Sequence, residues 1–96
     1  MRDSIQIPLA SIEIVRMDAE RARAGPEGTR NPGTSIPGLL TAGTFNAGVA
    51  RTFWDVHNPE NTIVIELRDE RYRELIVEVS DPQDAVELIR GVTEAL

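Results

Sequence analysis

The stretch TIVIELRDERYRELIVEVSDPQDAVELIRGVTEAL, residues 62–96, decides the fold. It opens with two runs of alternating character. In TIVIEL (62–67), Ile63, Ile65 and Leu67 share one side; in YRELIVEV (72–79), Leu75, Val77 and Val79 share one side, with Glu74 and Glu78 on the other. Alternation with a period of two predicts strands with one buried face. The polar stretch Arg68 to Arg71 between them predicts a turn. At Asp81 the period changes. Asp81 suits a helix N-cap, Pro82 the first helical position, and Asp84 follows three residues after the cap, so both acids complement the helix dipole. Ala85, Leu88, Ile89, Val92 and Leu96 then fall on one helical stripe, with Val86 beside it. A helix is predicted over 81–95, its stripe laid against the sheet. Gly91 inside it costs about 1 kcal/mol relative to Ala, which suggests close packing at that position.

Working outward, LLTAGTFN (39–46) and VARTFWDVH (49–57) read as two more strands, turning at Ala47-Gly48. Ala50, Thr52, Trp54 and Val56 line one face of the second, which places Phe53 on the other face beside Arg51 and Asp55. Asn58-Pro59-Glu60-Asn61 has proline at the second position of a type I turn. Residues 39–79 therefore read as a four-stranded antiparallel meander. Upstream, residues 4–17 read as extended chain, with Ile5, Ile7 and Leu9 alternating with Gln6 and Pro8, and Ile12 and Ile14 flanking Glu13. Pro8 cannot donate to a ladder and marks an edge or a break. Asp18 to Ala24 suits one short helical turn, and seven Gly and Pro residues at 25–38 punctuate the rest of a long loop over 17–38. Such a loop is often functional. No internal repeat is present, and residues 1–96 read as one α+β domain of five or six strands with one C-terminal helix.

Composition excludes several classes. The formal net charge is −6, from 16 acidic and 10 basic residues, and every basic residue is Arg. An acidic balance argues against a nucleic-acid binder, which needs clustered positive charge, and more weakly against docking to anionic lipid. With no cysteine, disulfides, thiolate nucleophiles and cysteine-ligated metals are excluded together. No apolar run approaches the ~18–20 residues of a membrane span. The opening MRDSIQIPLAS does not read as a signal peptide, so the expected compartment is the cytoplasm.

The stretches IPLASIEIV (7–15), GTSIPGLLTAGTF (33–45), RTFWDV (51–56), IVIEL (63–67) and YRELIVEVSDPQDAVELI (72–89) resemble successive pieces of bacterial PH-like (pleckstrin-homology-like) domains. The resemblance covers about residues 5–90 and implies a strongly bent antiparallel meander or partial barrel capped by the C-terminal helix. It implies no catalytic residue and no cofactor, and it favours assembly, since some such families form oligomers. It also implies that strands are missing before Ile5, which would leave an open edge. Two alternatives follow: the edge pairs between subunits, or the true gene starts upstream and the chain is a fragment.

Candidate chemistry is sparse. His57 is the lone histidine, without the ligand or nucleophile partners that metal binding or base catalysis needs. Glu66, Glu74 and Glu78 alternate with core residues, as an exposed strand face does. Arg68, Arg71 and Arg73 cluster near one turn and are interleaved with Asp69, Glu70 and Glu74, so local ion pairing is expected. The glycines at 25–38 lack the Gly-Lys-Ser/Thr of a phosphate loop. Ile5, Ile7, Leu9, Arg51 and Phe53 are the candidate interface residues, Phe53 as an exposed aromatic among charges. The expected function is a non-enzymatic interaction module, self-associating or binding a protein. The alternative is a small-ligand or lipid-head-group binder using the 25–38 loop, with Arg30 and Arg51 on the rim.

Overall fold

The computed structural model describes residues 7–25, 29–30, 34–36, 40–47 and 50–96. Apolar alternation produces a mixed sheet of seven strands: β1 (Ile12–Met17), β2 (Thr29–Arg30), β3 (Thr34–Ile36), β4 (Leu40–Ala47), β5 (Ala50–Val56), β6 (Thr62–Leu67) and β7 (Glu74–Glu78). Two helices accompany it, α1 (Ala19–Ala24) and α2 (Pro82–Glu94). The α+β class and the C-terminal helix agree with the sequence. Two strands more than five are found because β2 and β3 lie within the stretch read as loop, both pairing antiparallel with β4.

The strand order is β1-β6-β7-β5-β4-β2, with β3 also on β4, and this path does not close into a barrel among the described residues. The expected antiparallel meander is corrected at one point. β5 and β7 run parallel, Thr52 opposite Glu74 and Trp54 opposite Ile76, while β6 pairs antiparallel with both β7 and β1. The β5–β6 connection is thus a hairpin opened wide, with β7 inserted between its arms. A short 3-10 turn at Pro59–Asn61 spans the gap, its Asn58 side chain accepting from the Glu60 N–H at 3.1 Å.

Both faces of the sheet are covered at β6, which is buried almost throughout. On one face Val15, Ile63, Ile65, Leu67 and Leu75 pack with Val86 of α2. On the other, Trp54, Val56, Val64 and Ile76 pack with Ala22 of α1. The reading that left the Val64 and Ile76 side to solvent is therefore corrected: both are fully buried.

A β-bulge explains β1. The register shifts between Ile12 and Ile14, so Ile12 sits opposite Leu67 and Ile14 opposite Glu66. With Glu13 as the extra residue, Ile12 packs on the α2-side core while Ile14 is 47% exposed on the other face. Upstream, Pro8 precedes a 3-10 turn at Leu9–Ser11 rather than a strand.

α2 begins as its sequence demands, with the Asp81 carboxylate accepting from the Asp84 N–H at 3.1 Å. Its buried arc runs through Ala85, Val86 and Ile89, not along the whole apolar stripe: Leu88 and Leu96 are 65% and 74% exposed. Gly91 has nothing within 4 Å of a built Cβ, so the close packing expected there is absent. α1 is capped by Asp18 and closed by Gly25, whose φ of +82° favours glycine.

Candidate functional site

Two places bring chemistry-bearing residues together. The first is the ion network under α1. Parallel pairing of β5 with β7 and antiparallel pairing of β7 with β6 set Glu66 opposite Glu74. Two like charges at that spacing repel unless a cation intervenes, and Arg16 supplies it. Its Nη1 bonds the Glu66 carboxylate, its Nη2 lies 4.0 Å from Glu74, and its Nε donates to Asp18 at 3.1 Å. Arg21 of α1 donates to the other Glu74 oxygen at 3.0 Å and lies 5.2 Å over the Trp54 ring. Burial works against the Arg16 charge, but the hydrogen bonds it donates to Asp18 and Glu66 and the charge of both carboxylates outweigh it, holding the guanidinium above its ordinary pKa. The Asp18 carboxyl is held below the usual range, first by the Arg21 N–H and then by the Arg16 side chain, against its own burial.

Glu66 and Glu74 are thus half-buried ion-pair members, not a solvated strand face. Glu78 is also engaged, accepting the main-chain N–H groups of His57 at 2.6 Å and Asn58 at 2.7 Å. The His57 residue itself is exposed. Such an arrangement fixes α1 and the β5–β6 connection.

The second place is a cleft of about 380 Å³ at the β6–β7 turn. Arg68, Arg71 and Arg73 come from the turn, and Arg51 arrives from β5, because the Arg73 N–H donates to the Arg51 carbonyl at 2.7 Å. The turn is tight enough to hold Asp69 at φ 56°, a left-handed conformation that Asp tolerates better than most residues. The expected pairing of these arginines with their interleaved acids is not what is found. Arg68 lies 3.7 Å from Glu13 of β1, Glu70 accepts the Ser11 hydroxyl at 2.7 Å, and Glu74 faces Arg21. Among the described residues no group of three or more His, Asp or Glu is placed to hold a metal ion.

No family model matches the chain, and neither a curated protein nor a solved structure does.

The candidate interface residues scatter. Phe53 is half-buried rather than an exposed anchor; it packs against the α2-side core and meets Tyr72 edge-on at 5.9 Å. Ile7 also packs on that core, and Leu9 is 41% exposed in the 3-10 turn. Ile5 and the Arg30 side chain lie outside the described residues. Arg51 does reach a cleft, but the one at the β6–β7 turn.

An open edge is expected from the sequence, but not which groups line it. The described strand path ends at β1. Antiparallel alternation, fixed by the Asp18 N–H donating to the Thr62 carbonyl at 3.2 Å, turns the main-chain groups of Val15 and Met17 away from β6. The Val15 carbonyl accepts from Arg90 Nη2 of α2 at 3.0 Å. Arg90, Thr93 and Glu94 line a groove of about 240 Å³ along this edge with Ile12–Val15. No spacing in the sequence announces a contact between residues so far apart.

Proposed function

We propose that the chain is a non-catalytic interaction module that self-associates by antiparallel strand addition at β1. A second copy of the same strand is the natural partner, because two such edges related by a two-fold axis offer each other the same donors and acceptors. The observation that carries this reading is the position of β1 at the end of the described sheet path, with Ile14 and Met17 47% and 55% exposed on it. Association covers both side chains and pairs the outward main chain. The bulge at Glu13 and the Arg90 contact are devices that blunt an edge, so pairing requires Arg90 to swing aside.

The resemblance of the sequence to PH-like domains, some of which assemble, favours the same reading. A cytoplasmic setting fits a chain without cysteine, and no described helix is long and apolar enough to cross a membrane. No catalytic role is assigned. The carboxylates that strand pairing gathers are engaged by Arg16 and Arg21 or by main-chain N–H groups.

Size exclusion with light scattering at micromolar concentration tests the proposal. A dimer or larger species is expected, and the double substitution Ile14→Lys with Met17→Lys should return it to a monomer. A wild-type chain that stays monomeric, or an oligomer indifferent to the double substitution, rules the β1 contact out.

A further inference from the structure

The β6–β7 turn gathers four arginines, Arg51, Arg68, Arg71 and Arg73, among four acids on a fixed base. The main chain at Arg73 is held from both sides, its N–H donating to the Arg51 carbonyl at 2.7 Å and its carbonyl accepting from the Leu67 N–H at 2.9 Å. Its side chain therefore leaves from an anchored point beside Arg51. Arg71 lies 5.4 Å over the Tyr72 ring, and Tyr72 rests edge-on against Phe53, which itself packs on the core. A guanidinium held over an aromatic ring is positioned by it and keeps N–H donors for an oxoanion.

The acids lining the cleft do not cancel this charge evenly. Glu66 pairs with Arg16 and Glu13 sits near Arg68, while Glu70 accepts only the neutral Ser11 hydroxyl and Asp69 also lines the cleft. Among the described residues no acid pairs with Arg71 or Arg73. The volume of about 380 Å³ is that of a small-molecule site rather than of a single ion. Arginines that line one cleft from β5 and from the β6–β7 turn suit a phosphate, whose several oxygens accept charge-assisted bonds from more than one direction, better than a planar carboxylate.

We infer that the cleft formed by Arg51, Arg71 and Arg73 beside Tyr72 binds a phosphate group, carried on a soluble metabolite or on a lipid head group. This site lies apart from the outward edge of β1 and stands whether or not the chain self-associates there.

The test is a titration of the full chain with inorganic phosphate and with pyrophosphate, followed by amide and guanidinium nitrogen–proton NMR shifts. Saturable shifts are expected at Arg51 and at residues 71–73, weakening as salt is raised. Arg73→Gln and Arg71→Gln should each weaken pyrophosphate binding by about tenfold, whereas Arg23→Gln on α1 should leave it unchanged. The amide spectrum of each variant reports folding directly. A parallel arm uses phosphatidylcholine vesicles with and without a phosphatidylinositol phosphate. Vesicle binding displaced by pyrophosphate assigns the lipid source, and solution binding without vesicle binding assigns the soluble one. Absence of saturation in every arm, or binding that Arg71→Gln and Arg73→Gln both leave intact, overturns the inference.

Discussion

The Glu78 carboxylate accepts the main-chain N–H of His57 at 2.6 Å, and the same oxygen takes the N–H of Asn58 at 2.7 Å. The end of β7 is thereby fastened to the loop that joins the two strands around it. The Val79 N–H adds a bond to the Asn61 carbonyl at 2.9 Å. Charge-assisted bonds at an exposed site contribute modestly, so Glu78→Ala should cost on the order of 1–2 kcal/mol. Urea unfolding of the variant checks this. Glu87→Ala on the exposed face of α2 serves as the comparison and should be close to neutral.

Gly91 offers the opposite sign. A methyl group there meets nothing within 4 Å, and the position is helical. Gly91→Ala should stabilise the chain by about 0.5–1 kcal/mol through helix propensity and the restricted unfolded state. A fall in melting temperature would show that α2 packs differently from the arrangement described.

Ile76 separates two readings of β7. A strand with one solvated face would tolerate a small residue between Glu74 and Glu78. With Ile76 fully buried under α1, Ile76→Ala should cost about 2–5 kcal/mol, the range of a large-to-small core change. Ile63→Ala on the opposite face should cost a similar amount, and denaturant midpoints of the two variants make the comparison.

Acid should loosen α1. Asp18 has its folded pKa depressed, chiefly by the Arg21 N–H and then by Arg16. A depressed folded pKa means that the stability from the ionised group is fully present above its unfolded pKa and is lost as pH falls through the folded value. Stability measured by urea at a series of pH values should therefore drop below the usual carboxylate range. Asp18→Asn retains a capping oxygen but should remove that part of the acid dependence.

Arg90 guards the β1 edge through its bond to the Val15 carbonyl. If self-association uses that edge, Arg90→Ala should raise the oligomer fraction at a fixed protein concentration while costing the isolated fold about 1 kcal/mol. Sedimentation velocity distinguishes this from a variant that is only less stable, which would show no larger species before unfolding begins.

Local signals in the sequence were strong where the physics is local. The Asp81-Pro82 start of α2, the Asn58-Pro59 turn and the Trp54–Val56 face follow from capping, turn geometry and alternation, all decided within a few residues. What escaped was set by partners distant in the chain. Alternation in β6 and β7 marks Ile63 and Leu75 as buried, yet it cannot report that α1 covers Val64 and Ile76 as well. The bulge at Glu13 is invisible because Ile12-Glu13-Ile14 looks like regular alternation until its partner strand is known. The gathering of Arg51 with Arg73 depends on a parallel pairing that no local pattern encodes, and the stripe of α2 could not say which of its flanks would be covered.

The inserted position of β7 carries a consequence for how the molecule is made. The central strand of the framework comes after both of its neighbours in the order of synthesis. Without Glu74–Glu78, the main-chain groups that β5 and β6 turn toward β7 lack their partners. Nascent or truncated products stopping short of it should accordingly be sticky and readily degraded, and productive collapse should await this keystone segment.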